Sequence, residues 1–85
     1  MVLAHIYILY SAGLDRYYVG HTALPVEERL RRHLADHKGY TAKTKDWAVV
    51  HVENFPTKTL AHRREREIKA WKSKQKIREL VLNGL

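Results

Sequence analysis

The chain has 85 residues, which suits one domain near the lower size limit for a fold stabilised by an apolar core alone. It contains no cysteine, which excludes disulfide bonds and metal sites built from thiolates. The 16 Lys and Arg residues exceed the 9 Asp and Glu residues and give a net charge of +7. We therefore expect a single basic domain over residues 1–85 with no disulfide partner, and its charge favours a polyanionic partner.

The chain begins with two short segments of β-strand character. Residues 3–10 and 16–22 are rich in β-branched and aromatic side chains, and residues 11–14 have the composition of a turn. This pattern predicts a β-hairpin. If the four-residue turn closes it, Tyr7 lies directly opposite Tyr18, with Cβ atoms about 5 Å apart on the same sheet face.

A helix is predicted next, beginning at Pro25 in the first-turn position that proline favours. At about 100° per residue, His33 falls within the apolar stripe and Arg29 on its flank. Residues 37–39 are expected to end the helix, and residues 38–46 to form a basic loop. The predicted apolar stripe consists of Val26, Leu30 and Leu34.

The second half of the chain predicts one strand and two helices. The strand covers residues 47–55, and Thr59 is the expected N-cap of a helix that runs to about Lys72 with Glu65 at the edge of its buried face. Ser73 is the expected cap of the last helix. The predicted apolar positions are Leu60, Ala61, Ile68 and Trp71 in the first helix, and Ile77, Leu80 and Val81 in the second. The order β-β-α-β-α-α predicts an α+β fold with a three-stranded antiparallel sheet flanked by helices.

Three segments of the sequence together resemble the GIY-YIG nuclease superfamily. They are His-Ile-Tyr-Ile-Leu at 5–9, Tyr-Tyr-Val-Gly-His-Thr at 17–22 followed by Glu-Arg-Leu-Arg-Arg-His at 28–33, and the segment 55–72. The chain is most similar to the small stand-alone bacterial predicted endonucleases of that superfamily, and the resemblance covers nearly all of it. It implies the fold just described and a metal-dependent hydrolysis of phosphodiester bonds in DNA.

The resemblance also implies a role for five side chains. Tyr7 would be the general base, and Tyr18 would help to orient the water or the phosphate. Arg29 would bind the scissile phosphate and, with the metal, lower the pKa of the Tyr7 phenol from its ordinary value near about 10. His33 would lie beside the same phosphate. Glu65 would be the sole protein ligand of Mg²⁺ or Mn²⁺, an ordinary arrangement for Mg²⁺.

Each of these residue types also has a purely structural interpretation. The two tyrosines can be half-buried strand aromatics, and His33 can be a histidine at the edge of the core. Arg29 can be a solvated charge. Glu65 can be the i,i+4 ion-pair partner of Lys69. On this interpretation the alternative function is a catalytically inactive DNA- or RNA-binding module of the same fold.

Two other candidates for metal binding are less favoured. His33 and His37 have i,i+4 spacing, but no third ligand is evident and the glutamate of a zinc-binding His-Glu-x-x-His motif is missing, so zinc is not expected. Glu67 is a rival of Glu65, but it points about 160° away from the buried face of its helix.

Basic residues concentrate at 29–45 and 58–76, which is typical of a nucleic-acid-binding surface. The alternative is a solvated surface that serves solubility. His21 stands where many family members have a lysine. We expect contact with DNA, or with RNA as the alternative, through six residues: His21, Arg32, Lys43, Lys45, Arg64 and Lys69.

The sequence predicts no contact with a membrane. No Lys or Arg precedes Arg16, so the basic start of a secretory signal is missing. No apolar run approaches the roughly 20 residues that a spanning helix needs. We therefore expect a cytoplasmic protein.

Overall fold

The computed structural model describes residues 1–35 and 39–83, apart from the side chain of Tyr40. The predicted element order is confirmed, with a 3₁₀ helix added inside the predicted basic loop. The elements are β1 (Ala4–Ser11), β2 (Arg16–Thr22), α1 (Val26–Leu34), the 3₁₀ helix (Tyr40–Lys43), β3 (Ala48–Phe55), α2 (Lys58–Ala70) and α3 (Lys74–Asn83). The fold is α+β, as the sequence predicts.

The three strands form an antiparallel sheet in the order β2-β1-β3, so β2 is an edge strand. The predicted hairpin register is wrong by two residues. Tyr7 pairs with Gly20, and Tyr18 pairs with Leu9. Because a shift of two residues preserves the side-chain alternation, Tyr7 and Tyr18 still share one face as diagonal neighbours.

The two faces of the sheet bury separate apolar clusters. One face packs against α2 and α3 through Ala4, Ile6, Ile8, Val19, Ala61, Ile68 and Leu80. The other packs against α1 through Tyr7, Leu9, Val26 and Trp47, with Leu30 and Leu34 at the periphery. We call them the α2 face and the α1 face. The predicted stripes of α1 and α3 are confirmed, whereas Leu60 of α2 is exposed.

A β-bulge interrupts the pairing of β1 with β3. Ile8 pairs with His51, but the next residue, Leu9, pairs with Val49, so Val50 is an extra residue in β3. Val50 packs against the α2-face cluster and Val49 against the α1-face cluster. The bulge therefore lets two adjacent valines serve opposite faces of the sheet.

The helix ends differ from the sequence prediction in two places. Thr57, not Thr59, is the N-cap of α2, and its Oγ1 accepts a hydrogen bond from the Leu60 N–H at 3.2 Å. Helix α1 ends at Leu34, before the predicted end at 37–39, because the chain becomes extended at Ala35. Within the described residues, no helix combines the length and the apolar character that a membrane span requires.

Hydrogen bonds of the Asp46 side chain connect the β1–β2 turn to the segment before β3. Its Oδ1 accepts hydrogen bonds from the hydroxyls of Ser11 at 2.5 Å and Thr44 at 2.7 Å. Its Oδ2 accepts one from the Gly13 N–H at 2.8 Å. These bonds hold the pKa of the Asp46 carboxyl at about 2. Asp15 completes the turn with a positive φ of 50°.

Candidate active site

Tyr7 lies at the centre of the α1 face and is almost fully buried. Its hydroxyl is 2.8 Å from Nε2 of His33 on α1. The strand supplies the position of the phenol, and the helix supplies its hydrogen-bond partner. This contact joins two residues that are 26 positions apart in the sequence.

Gly20 makes room for the phenol. A Cβ atom at this position would lie 2.5 Å from the Tyr7 hydroxyl oxygen and 2.7 Å from Cζ, distances that real Cβ atoms do not adopt. Glycine is therefore required here for the close approach of the Tyr7 ring to the backbone of the edge strand β2.

His33 is held on its other side by the 3₁₀ helix. The His33 side chain is buried, and its Nδ1 is 2.9 Å from Oγ1 of Thr41. The Thr41 carbonyl in turn accepts a hydrogen bond from the Trp47 Nε1–H at 2.9 Å. With Nδ1 protonated and donating to Thr41, Nε2 is an acceptor for the proton of the Tyr7 hydroxyl.

Tyr18 closes the aromatic cluster on the outer side. Its ring centroid is 6.4 Å from that of Tyr7 and 4.9 Å from that of His33, the latter in an edge-on arrangement. The Lys69 ammonium of α2 lies 5.9 Å from the centroid of the Tyr18 ring. Tyr18 is therefore the aromatic residue of the α1 face that also meets α2.

Arg29 approaches the same phenol from α1. Its Nε is buried and has no hydrogen-bond partner within the described residues. Burial raises the pKa of Tyr7, and the hydrogen bond from the Arg29 guanidinium lowers it by less, so the pKa lies above its ordinary value of 10.0. Arg29 thus acts in the direction that the sequence predicts, but burial dominates and Tyr7 is a neutral phenol near pH 7.

Glu65 on α2 provides the carboxylate. Its side chain is only 12% exposed; Oε1 is 2.7 Å from His21 Nδ1, and Oε2 accepts a hydrogen bond from Lys69 Nζ at 2.9 Å. Burial raises the pKa of Glu65, but the hydrogen bonds and the positive charges of His21 and Lys69 together outweigh burial and bring the pKa below its ordinary value. Glu65 is therefore ionised near neutral pH. The predicted ion pair with Lys69 is present.

The phenol and the carboxylate come together at the edge of the sheet. Tyr7 reaches the β2 edge across Gly20 on the α1 face, while Glu65 reaches it from α2 on the opposite face. They are near enough for the negative charge of Glu65 to contribute to the raised pKa of Tyr7. A phenol–imidazole pair, an arginine whose buried Nε has no partner within the described residues, and a carboxylate thus converge at the edge strand β2.

The family model of the GIY-YIG catalytic domain matches residues 3–78 of the chain. The chain belongs to the GIY-YIG family. Comparison with curated proteins and with solved structures finds no match. GIY-YIG membership supports a nuclease-type function acting on nucleic acid, in a family whose members are generally dependent on a divalent metal.

Glu65 fits the metal that GIY-YIG membership implies. A divalent cation needs an ionised oxygen ligand in a partly enclosed position, and the Glu65 carboxylate is ionised and mostly buried. Lys69 is half-exposed on a long flexible side chain, so it can withdraw from Oε2 when a cation enters. Glu65 is therefore the expected ligand.

The predicted nucleic-acid contacts occupy different environments in this GIY-YIG fold. Arg32 and Lys43 are exposed. Lys45 is engaged, because its Nζ donates to the Leu34 carbonyl at the end of α1 at 3.0 Å. Arg64 forms ion pairs with two carboxylates, those of Glu53 and Glu67. His21 and Lys69, described above, both contact Glu65.

Sequence reasoning missed three residues of the site. Thr41 and Trp47 position His33, but both depend on how the segment before β3 folds back on α1. His62 stacks on His21 with ring centroids 4.7 Å apart. Its i,i+3 spacing from Glu65 is a signal that the sequence contains. His37, which has i,i+4 spacing from His33 but for which zinc is not expected, lies outside the described residues.

Proposed function

We propose that this chain is a metal-dependent endonuclease, acting as one domain, that hydrolyses phosphodiester bonds of DNA by attack of water on phosphorus. The observation that carries the proposal is the convergence of Tyr7, His33, Arg29 and Glu65 at the edge strand β2. The net charge of +7 favours a polyanionic substrate.

Tyr7 and His33 act together as the general base. A neutral phenol is a poor base by itself, but with His33 protonated at Nδ1 its O–H donates to Nε2, 2.8 Å away. As the attacking water loses a proton to the phenol oxygen, the phenol passes its own proton to Nε2. The Tyr7 phenol is neutral before and after the step, and His33 becomes an imidazolium held by Thr41.

Arg29 binds the scissile phosphate. Its Nε has no partner within the described residues, and a planar guanidinium suits two phosphate oxygens. The phosphate would supply the missing hydrogen bond and balance the positive charge. Tyr18, at the outer side of the cluster, would orient the phosphate or the water through its hydroxyl.

Glu65 would hold Mg²⁺ or Mn²⁺. When bound, such an ion neutralises charge on the phosphate oxygens and stabilises the leaving oxygen. To hold the ion, Glu65 would give up its contacts with Lys69 and His21. Lys69 would then be available to contact the nucleic acid backbone.

A nicking assay on supercoiled plasmid with Mg²⁺ or Mn²⁺ tests the proposal. Cleavage should disappear with EDTA and in Glu65→Ala, while Glu65→Ala keeps its affinity for DNA. Glu67→Ala is the matched control, two residues along the same helix and exposed, and should retain cleavage. Cleavage that persists in Glu65→Ala would refute the assignment.

The second candidate is a binding module without catalysis. It is favoured by one observation, namely that both carboxylate oxygens of Glu65 already have protein partners. In that case no metal stimulates cleavage, and DNA or RNA binds equally well to the wild type and to Glu65→Ala.

A further inference from the structure

We propose that His21 and His62 join Glu65 in a three-ligand site for a first-row transition metal of the class that binds imidazole. The proposal deepens the proposed function, because Glu65 belongs to both, but metal binding itself does not require cleavage. The site consists of one imidazole from β2 and an imidazole and a carboxylate from α2.

The spacing of the ligand atoms supports the site. One ligand atom from each residue, a ring nitrogen or a carboxylate oxygen, lies within 4.8 Å of the other two. Metal–ligand bonds of about 2.0–2.2 Å place neighbouring ligand atoms roughly 3–3.6 Å apart. The most widely separated pair of ligand atoms must therefore approach by up to about 1–2 Å.

The structure indicates which residue can make that movement. His62 is exposed and is stacked on His21, so its ring can rotate about the side-chain bonds without disturbing the core. His21 and Glu65 are already 2.7 Å apart through Nδ1 and Oε1. A metal that enters here replaces this hydrogen bond and leaves the backbone in place.

The ligand types determine the class of metal. Mg²⁺ prefers oxygen ligands, whereas Co²⁺, Ni²⁺ and Zn²⁺ bind imidazole well. Two histidines and one carboxylate leave further coordination positions open to water or substrate oxygens, as in catalytic zinc sites with three protein ligands. His21 and His62 therefore extend the site beyond a single carboxylate, and they change its metal preference.

The positive charge of Lys69 disfavours the binding of a cation to Glu65. Its ammonium is 2.9 Å from Oε2 of Glu65, so it adds a positive charge beside the site. Replacing it by an uncharged residue should strengthen metal binding. The direction of this effect is opposite to that of the ligand substitutions, which makes Lys69→Met an internal check on the location of the metal.

The test is a titration of the tag-free protein with Co²⁺, followed by its visible absorption and by calorimetry, without nucleic acid. We expect one Co²⁺ per chain, and a loss of affinity of at least about tenfold in His62→Ala and in His21→Ala, since even changes to outer-shell residues commonly cost 10–100-fold. Lys69→Met should bind Co²⁺ more tightly. His5→Ala is the control, because His5 lies on the α1 face and bonds Asn54.

Two outcomes would overturn the inference: Co²⁺ affinity unchanged in His62→Ala, or reduced equally in His5→Ala. Circular dichroism of each variant separates ligand loss from misfolding. A protein that binds Co²⁺ through His62 but cuts no DNA would refute the proposed function and support the inference. A protein that cuts DNA with Mg²⁺, but whose Co²⁺ affinity is unchanged in His21→Ala and in His62→Ala, would support the proposed function and refute the inference.

Discussion

The Tyr7 phenol occupies the space in which a side chain on Gly20 would stand. A Cβ atom there would come within 2.5 Å of the hydroxyl oxygen and 3.1 Å of Cε1. Gly20 has no positive φ, so alanine would meet no backbone strain at this position. The contact with Tyr7 is therefore the reason for the glycine.

Gly20→Ala should displace the phenol from His33. We expect a loss of about 1–3 kcal/mol in the free energy of unfolding, the usual cost of overpacking, and a fall in cleavage. Urea denaturation measures the first effect and the nicking assay the second. In a Tyr7→Ala background the same substitution should cost much less, so additive losses in this double-mutant cycle would contradict the steric explanation.

Tyr7→Phe should keep the ring packing and remove only the hydroxyl. Because general acid–base catalysis is typically worth about 10²- to 10⁴-fold, the variant should fold and cut DNA more slowly by such a factor. Tyr17→Phe is the control, since Tyr17 packs on the α2 face away from His33. Equal rate losses in the two variants would show that the Tyr7 hydroxyl has no special role.

Stability should depend on pH through Asp46. The pKa of its carboxyl is about 2 in the folded protein and ordinarily 3.8. Because this pKa is depressed, the ionised Asp46 carboxylate stabilises the fold at pH values above its ordinary pKa. This stabilisation is lost as the pH falls from about 4 to about 2. The urea midpoint of the wild type should therefore drop across this window, and in Asp46→Asn it should be lower near neutral pH and change less. If the urea midpoints of the wild type and of Asp46→Asn fall in parallel as the pH is lowered, other groups cause the acid sensitivity.

DNA affinity should fall linearly with log[salt], with a slope of roughly −0.9 per phosphate contacted. Reversing the charges of Lys43 and Lys45 should weaken binding similarly for all sequences and reduce the slope. Arg64→Gln should change affinity less, because the Arg64 charge is already paired with Glu53 and Glu67. Fluorescence anisotropy at several salt concentrations measures this, and a salt-independent affinity would point to a protein partner.

The sequence was sufficient to predict the fold class and the sheet faces of Tyr7, Tyr17 and Tyr18, because alternation along a strand is a local property. The hairpin register was not predictable. Ser11 extends β1 by one residue, and its hydroxyl is bound by Asp46, which is 35 positions away. Thr57 and Thr59 are both suitable caps by composition, and only the path of the chain decides between them.

The candidate site likewise combines features that the sequence predicts with features that depend on long-range packing. The family motifs suggest Tyr7, Arg29 and Glu65 as candidate site residues, but the raised pKa of Tyr7 comes from burial, which no motif encodes. The contact of His21 with nucleic acid stays a prediction, and its bond to Glu65, 44 positions away, was not foreseen. The grouping of His21 with His62 depends on the packing of α2 against β2 and could not be read from spacing alone.

The bulge at Val50 has a consequence for how this chain can vary. If β3 paired without the bulge, Val50 would lie opposite Leu9, and alternation would turn Trp47 to the α2 face, where its indole would no longer reach the Thr41 carbonyl. Deleting Val50 would remove the bulge but keep Val49 opposite Leu9 and Trp47 on the α1 face, so the chain should tolerate this deletion. Deleting Ala48 instead would turn Trp47 to the α2 face and leave the imidazole of His33 without the support of its loop.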